Sequence, residues 1–197
     1  MEDDSRPVLV RATADPSTPE AIEFFRWLGI CVATWAFIDR RLYQIFHHAI
    51  AFDQKQSAFF YYRNRAFNQR LRIVDDAVRM ALSKDEFEQK WKPLRKEVED
   101  LSHTRNIFAH HPTLRIDTSK DGKPIDVYSI YIEPYERVLN NDYPGLRGKE
   151  TLEIEDLKQH NQGAEALESK LNEFAWRMGL RFVERKIAEG RSQNAPS

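Results

Sequence analysis

The chain is poor in cysteine, in net charge and in long apolar runs, and each absence removes a class of function. Cys31 is the only cysteine in 197 residues, which excludes an internal disulfide and a cysteine-based zinc cage and fits a reducing compartment. Its place within an apolar helical stretch favours a buried thiol over a nucleophile. The formal net charge is −1, so the chain lacks the overall basic character of many nucleic-acid binders; any basic patch must be local. No stretch approaches ~18 uninterrupted apolar residues, and the acidic start MEDDSRPVLV has no leader pattern. These features predict a cytoplasmic protein without a membrane partner.

What is present suffices for one helical domain. Hydrophobic residues make up 41% and charged residues 31%, enough for a packed core under a charged surface. Residues 1–18 read as an extended arm and 189–197 as a tail, leaving a domain over 19–188. Thr18 and Pro19 have the form of an N-cap and a first-turn proline. From there, one apolar stripe runs through Ile22, Phe25, Val32, Ala36, Tyr43, Phe46 and Ile50, and another through Leu28, Cys31, Trp35, Ile38, Leu42 and Ile45. Two stripes predict a helix covered on more than one side, by its own bundle or by a second subunit. Asp39 falls in the first stripe and requires a cation or hydrogen-bond donor from another helix, or a local contact with Tyr43. His47 and His48 point about 100° apart, which makes them packing or surface residues rather than joint metal ligands.

A second helix is expected from Ser57 to Leu82, opening with FFYYRNRAF, where aromatics interleave with Arg63 and Arg65. That composition suits both core packing and stacking of bases beside phosphates. Residues 63–79 hold five arginines against two aspartates, a hint of an anionic ligand. Ser83 and Glu86 have capping-box spacing, and the helix they open should restart or kink at Pro93 and end before Pro112. Alternation on both sides of Asp121 and Gly122 predicts a β-hairpin at about 113–132. A last amphipathic helix starts near Glu155. No internal repeat is present. The fold class is all-α, an up-and-down helical bundle with one hairpin insertion.

The chemistry-bearing stretch is HTRNIFAHHPTLR, from His103 to Arg115. Asn106 and His110 lie within about 40° of each other on the helix wheel, on the face of Glu99 and His103; Arg105 lies about 140° from His110, in the apolar stripe of Leu94, Val98, Leu101 and Phe108. An arginine there requires a carboxylate, an anionic ligand or a route to the surface. A histidine near a helix C-terminus suits proton transfer, an arginine stabilises a phosphorane-like transition state, and an asparagine orients either group. Such a trio supports metal-free RNA cleavage by the 2′-hydroxyl. It equally fits a helix end in which Arg105 pairs with a buried carboxylate such as Asp39. A metal site formed by His103, His110 and His111 is the weakest reading, because it has no assured third ligand on one face.

The six residues RNIFAH, Arg105 to His110, resemble the Arg-Asn, three residues, His motif of the HEPN superfamily, the higher eukaryotic and prokaryotic nucleotide-binding helical bundles. The order of WAFID, WKPLRKEVEDL, RNIFAHHP, hairpin and final helix is similar to bacterial members over about residues 19–187. The resemblance implies an endoribonuclease that needs no metal or other cofactor, acting as a homodimer whose paired motifs form one cleft. It implies toxin–antitoxin or phage-defence settings, with an antitoxin protein as a further partner. Arg105 and His110 would be catalytic and Asn106 supporting, with His111 as the alternative histidine; Asp39, Arg63, Arg65 and His103 would support the site or contact RNA. The opposing expectation is a non-catalytic HEPN-like module for dimerisation or nucleotide or RNA binding.

Overall fold

A computed structural model of the chain describes residues 19–110, 114–120, 123–132 and 154–193, with side chains described over 19, 21–106 and 154–189. Its elements are α1 (Pro19–Ile50), α2 (Gln54–Arg63), α3 (Phe67–Ala81), α4 (Lys84–Glu86), a π-helical turn (Phe87–Trp91), α5 (Lys92–His110), β1 (Leu114–Lys120), β2 (Lys123–Ile132) and α6 (Ile154–Gln193). Every described side chain belongs to a helix or a connection between helices, so the described core is all-α. The backbones of β1 and β2 pair antiparallel, with Leu114 opposite Ile132 and Asp117 opposite Ser129. The expected arm at 1–18 lies outside the described residues, and α6 runs on to Gln193, past residue 188, where the domain was expected to end.

α1 is the spine. By length and composition Ala21–Ile50 could cross a membrane, but here its second stripe is core: Cys31, Trp35, Ile38, Leu42 and Ile45 are buried against the other helices. Each such aliphatic side chain contributes about 1.5–3 kcal/mol by leaving water. The other stripe divides. Phe46 is buried near the C-terminal end, whereas Ile22, Phe25 and Val32 stay exposed among the described residues. α1 stops at Ala51, whose φ of 56° is the left-handed turn that ends many helices.

α6 lies beside α1 and parallel to it. The pairing advances in step: Cys31 Sγ donates to the Leu157 carbonyl at 3.4 Å, Thr34 Oγ1 to Asn161 Oδ1 at 2.7 Å and Arg41 Nε to Glu168 Oε1 at 2.6 Å, and His48 Nδ1 donates to the Ala175 carbonyl at 3.1 Å. Gly179 makes the last contact possible, because a Cβ there would stand 3.0 Å from His48 Cε1. α5 runs the opposite way along α6, from the Trp91–Phe174 ring contact to the Lys170–Glu97 ion pair at 2.7 Å. Fully buried Trp91 anchors this layer and donates its indole N–H to Asp75 Oδ1 at 2.8 Å.

The single helix expected over Ser57–Leu82 is two helices. α2, capped by the Asp53 carboxylate on the Lys55 and Gln56 N–H groups, runs back along α1 from the His47–Ser57 contact to Tyr61 and Asp39. After Asn64–Ala66, α3 reverses and climbs α1 from the Trp35–Phe67 ring contact. Asn64 ends α2 with extended ψ and its amide donating to the Phe60 carbonyl at 2.8 Å, the local bonding by which asparagine competes with helix. At the predicted Ser83 cap, the Glu86 N–H donates to Ser83 Oγ at 3.4 Å and the Ser83 hydroxyl donates to Glu86 Oε2 at 3.1 Å. The expected kink at Pro93 takes the form of the π turn directly before it, where the missing proline N–H breaks the α ladder.

Candidate functional site

Arg105 sits on α5 with its guanidinium 5.9 Å from the centroid of the Trp35 ring. Its Nη1 donates to Asn106 Oδ1 at 3.1 Å, so the first two residues of the motif touch. Its Nε is buried and finds no hydrogen-bond acceptor among the described residues. Burial, and then the nearby positive charge of Arg70, push the Arg105 pKa below its ordinary value, with Asp39 pulling it back. A guanidinium stays protonated regardless, so burial beside Arg70 leaves this cation under-compensated. The Trp35 face returns some of that energy by cation–π attraction.

Asp39 supplies the counter-charge, but to a different arginine. Arg70 Nε donates to Asp39 Oδ1 at 3.0 Å, and the Tyr61 hydroxyl donates to the same oxygen at 2.9 Å. Arg70 Nη1 also donates to the carbonyls of Asn64 and Arg65, tying down the reversal between α2 and α3. The expected partner from another helix is therefore Arg70 with Tyr61. The alternatives of an Asp39–Tyr43 contact and a direct Asp39–Arg105 bridge are not what forms: Tyr43 donates to the Gln54 carbonyl instead. Two guanidinium groups share the neighbourhood of one carboxylate.

The other expected residues separate. His103 is exposed on α5. His110 is the last residue of α5, but its side chain, like all of His111, lies outside the described residues. Arg63 is exposed with its guanidinium 5.8 Å from the Phe59 ring centroid, and Arg65 is exposed beside the reversal. Cys31 is buried and its thiol pushed up to about 11 by desolvation, which fits the structural thiol and not the nucleophile. Among the described residues no cluster of three or more His, Cys, Asp or Glu side chains could hold a metal.

Arg70 and Tyr61 were not singled out by sequence reasoning. The available signal was the demand of Asp39 for a cation, which the arginine-rich stretch 63–79 could meet in several ways. Comparison with protein-family models, with curated proteins and with solved structures finds no match for this chain.

Proposed function

We propose that this chain is a metal-independent endoribonuclease of the HEPN type, an up-and-down bundle in which a hairpin follows the motif helix. The observation that carries the reading is Arg105. It is half-buried, lacks an acceptor for Nε, is crowded by a second guanidinium, and lies five residues before His110 at the end of α5. Such a cation is suited to a phosphate. In the proposed reaction His110 takes the proton from a 2′-hydroxyl, the 2′-oxygen attacks the adjacent phosphorus, and the P–O5′ bond breaks as His110 returns that proton to the leaving 5′-oxygen. The products are a 2′,3′-cyclic phosphate and a 5′-hydroxyl end. Arg105 stabilises the charge on phosphorus and Asn106 holds the guanidinium fork.

The wheel separates Arg105 from His110 by about 140°, so a second copy of the chain completes the cleft in this reading. Support comes from the N-terminal half of α1, where Ile22, Phe25 and Val32 are exposed apolar side chains on one side of the helix. The proposed setting is cytoplasmic, in defence or toxin–antitoxin systems, with an antitoxin protein as a further partner. Incubation of the purified chain with mixed RNA in excess chelator tests the activity. Cleavage to cyclic-phosphate ends, lost in folded Arg105→Ala and His110→Ala proteins, is expected; a fully active His110→Ala protein removes the assignment and leaves a non-catalytic binding module.

A further inference from the structure

A polar cavity lies between α1 and α2. It encloses about 490 Å³ and is lined by Arg40, Tyr43, Gln44, His47, His48, Gln54 and Tyr62. Its lining includes none of Arg105, Asn106 and Arg70. The volume falls within the range of small-ligand sites. Three kinds of chemistry meet there: aromatic faces, uncharged hydrogen-bonding groups and one cation.

The aromatic part is a cluster. The Tyr43 and Tyr62 ring centroids are 5.4 Å apart, and the His47 ring stacks nearly parallel to Tyr43, at 20° with centroids 6.3 Å apart. Tyr62 is 52% exposed, leaving a ring surface on which a flat ligand can stack. The imidazole tautomer follows from the bonding. Ser57 Oγ gives its proton to the Asp53 carbonyl at 2.9 Å, so it accepts from His47 Nδ1–H, also at 2.9 Å. His47 Nε2 is then a bare acceptor. Burial, and then the neighbouring His48, lower the His47 pKa, opposed only in part by Asp53, so the ring stays neutral at physiological pH. Gln44 accepts from Arg41 Nη1 at 3.0 Å through Oε1, which turns its amide NH₂ towards a donor role.

Arg40 is the cation. Its side chain is exposed, and among the described residues it makes neither an ion pair nor a hydrogen bond. On the α2 side, Asp53 Oδ1 accepts from two backbone N–H groups, as the cap of that helix. A neutral acceptor, a neutral donor and a stacking surface match the edge and face of a nucleobase, and one free guanidinium matches one phosphate. We propose that this cavity binds a base-plus-phosphate unit, with the base stacked on Tyr62 and bonded to His47 and Gln44 and the phosphate held by Arg40. The unit is a free nucleoside monophosphate or one nucleotide of a single-stranded RNA.

Calorimetric titration of the full chain with AMP, adenosine, inorganic phosphate and single-stranded hexa-adenylate tests the site. AMP should bind saturably, with adenosine and phosphate each about tenfold weaker or more. Tyr62→Ala and Arg40→Gln should each weaken AMP by about tenfold, while Arg40→Lys retains most binding; both side chains are exposed, so thermal melting should not change. Hexa-adenylate binding tighter than AMP assigns the site to an RNA strand, and equal or weaker binding assigns it to the free nucleotide. Absence of saturable AMP and hexa-adenylate binding overturns the proposal, as does binding unmoved by either variant. RNA cleavage is read separately: nucleotide binding without cleavage removes the nuclease reading alone, and cleavage without nucleotide binding removes this one alone.

Discussion

Arg70 Nε donates to Asp39 Oδ1 at 3.0 Å, across 31 positions of sequence, and so takes the carboxylate whose charge Arg105 also feels. The side chains are 17% and 21% exposed, dry enough for the pair to matter and wet enough to temper it. The same guanidinium binds the two carbonyls of the α2–α3 reversal. Arg70→Met therefore strands a carboxylate and two carbonyls together, with an expected loss of about 3 kcal/mol. Adding Asp39→Asn should recover part of that loss, a non-additivity read from urea unfolding of the four proteins of the cycle. Arg70→Met within about 0.5 kcal/mol of the wild type would show that this bridge is not structural.

The parallel contact of α1 and α6 depends on the absence of a side chain at Gly179. A Cβ there meets the His48 ring at 3.0 Å, and that ring is held by the Ala175 carbonyl, so it cannot swing away without losing its bond. Gly179→Ala should cost about 1–3 kcal/mol through overpacking, set against a small gain in helix propensity. His48→Ala should be less damaging in the Gly179→Ala background than in the wild type. Equal effects of His48→Ala in both backgrounds would place the two residues out of contact.

Much of this arrangement was legible in the sequence, and the illegible parts share a cause. Pro19, the Ser83 cap, the break in the helix at Pro93 and the stripe from Leu28 to Ile45 follow from local rules, because capping, proline geometry and periodicity act within a turn or two. The reversal at Asn64–Ala66 carries no glycine or proline, and what holds it is Arg70 reaching back. The partner of Asp39 was a requirement without an address, since five arginines in 63–79 compete for it. Periodicity marked both stripes of α1 as apolar but could not say that Val32 would be 51% exposed and Ile38 fully buried; only the placement of the other helices decides that. At the candidate site, the wheel placed Arg105 in the apolar stripe, and its contact with Trp35 accords with that placement.

Acid should loosen the α1–α6 layer through His160. That side chain is 5% exposed, and burial lowers its pKa from 6.5 to about 4. The folded state thus resists a proton that the unfolded state accepts. Stability from this residue is complete above 6.5, declines as pH falls, and levels off below about 4, where both states are protonated. Between about pH 7.5 and about pH 5 the expected loss is about 2 kcal/mol. His47 and His48, also lowered by burial, act in the same direction. His160→Gln cannot titrate, so its urea midpoint should depend less on pH over this window. An undiminished pH dependence in that variant would assign the acid sensitivity to other groups.

The exposed stripe on α1 makes a prediction about assembly, with RNA cleavage as its second readout. Ile22, Phe25 and Val32 recur at three- and seven-residue spacing on one side of the helix, and each is more than 40% exposed. An apolar face of this kind favours a partner, and in the proposed function that partner is a second copy bringing its own Arg105 and His110. Val32→Glu places a charge in the centre of the stripe, where burial against a second copy would leave it unpaired. Sedimentation should show the wild-type chain as a dimer and Val32→Glu as a folded monomer with RNA cleavage reduced by at least about tenfold. A wild-type monomer that cleaves RNA would instead require Arg105 and His110 to converge within one chain, against the angle that separates them on α5.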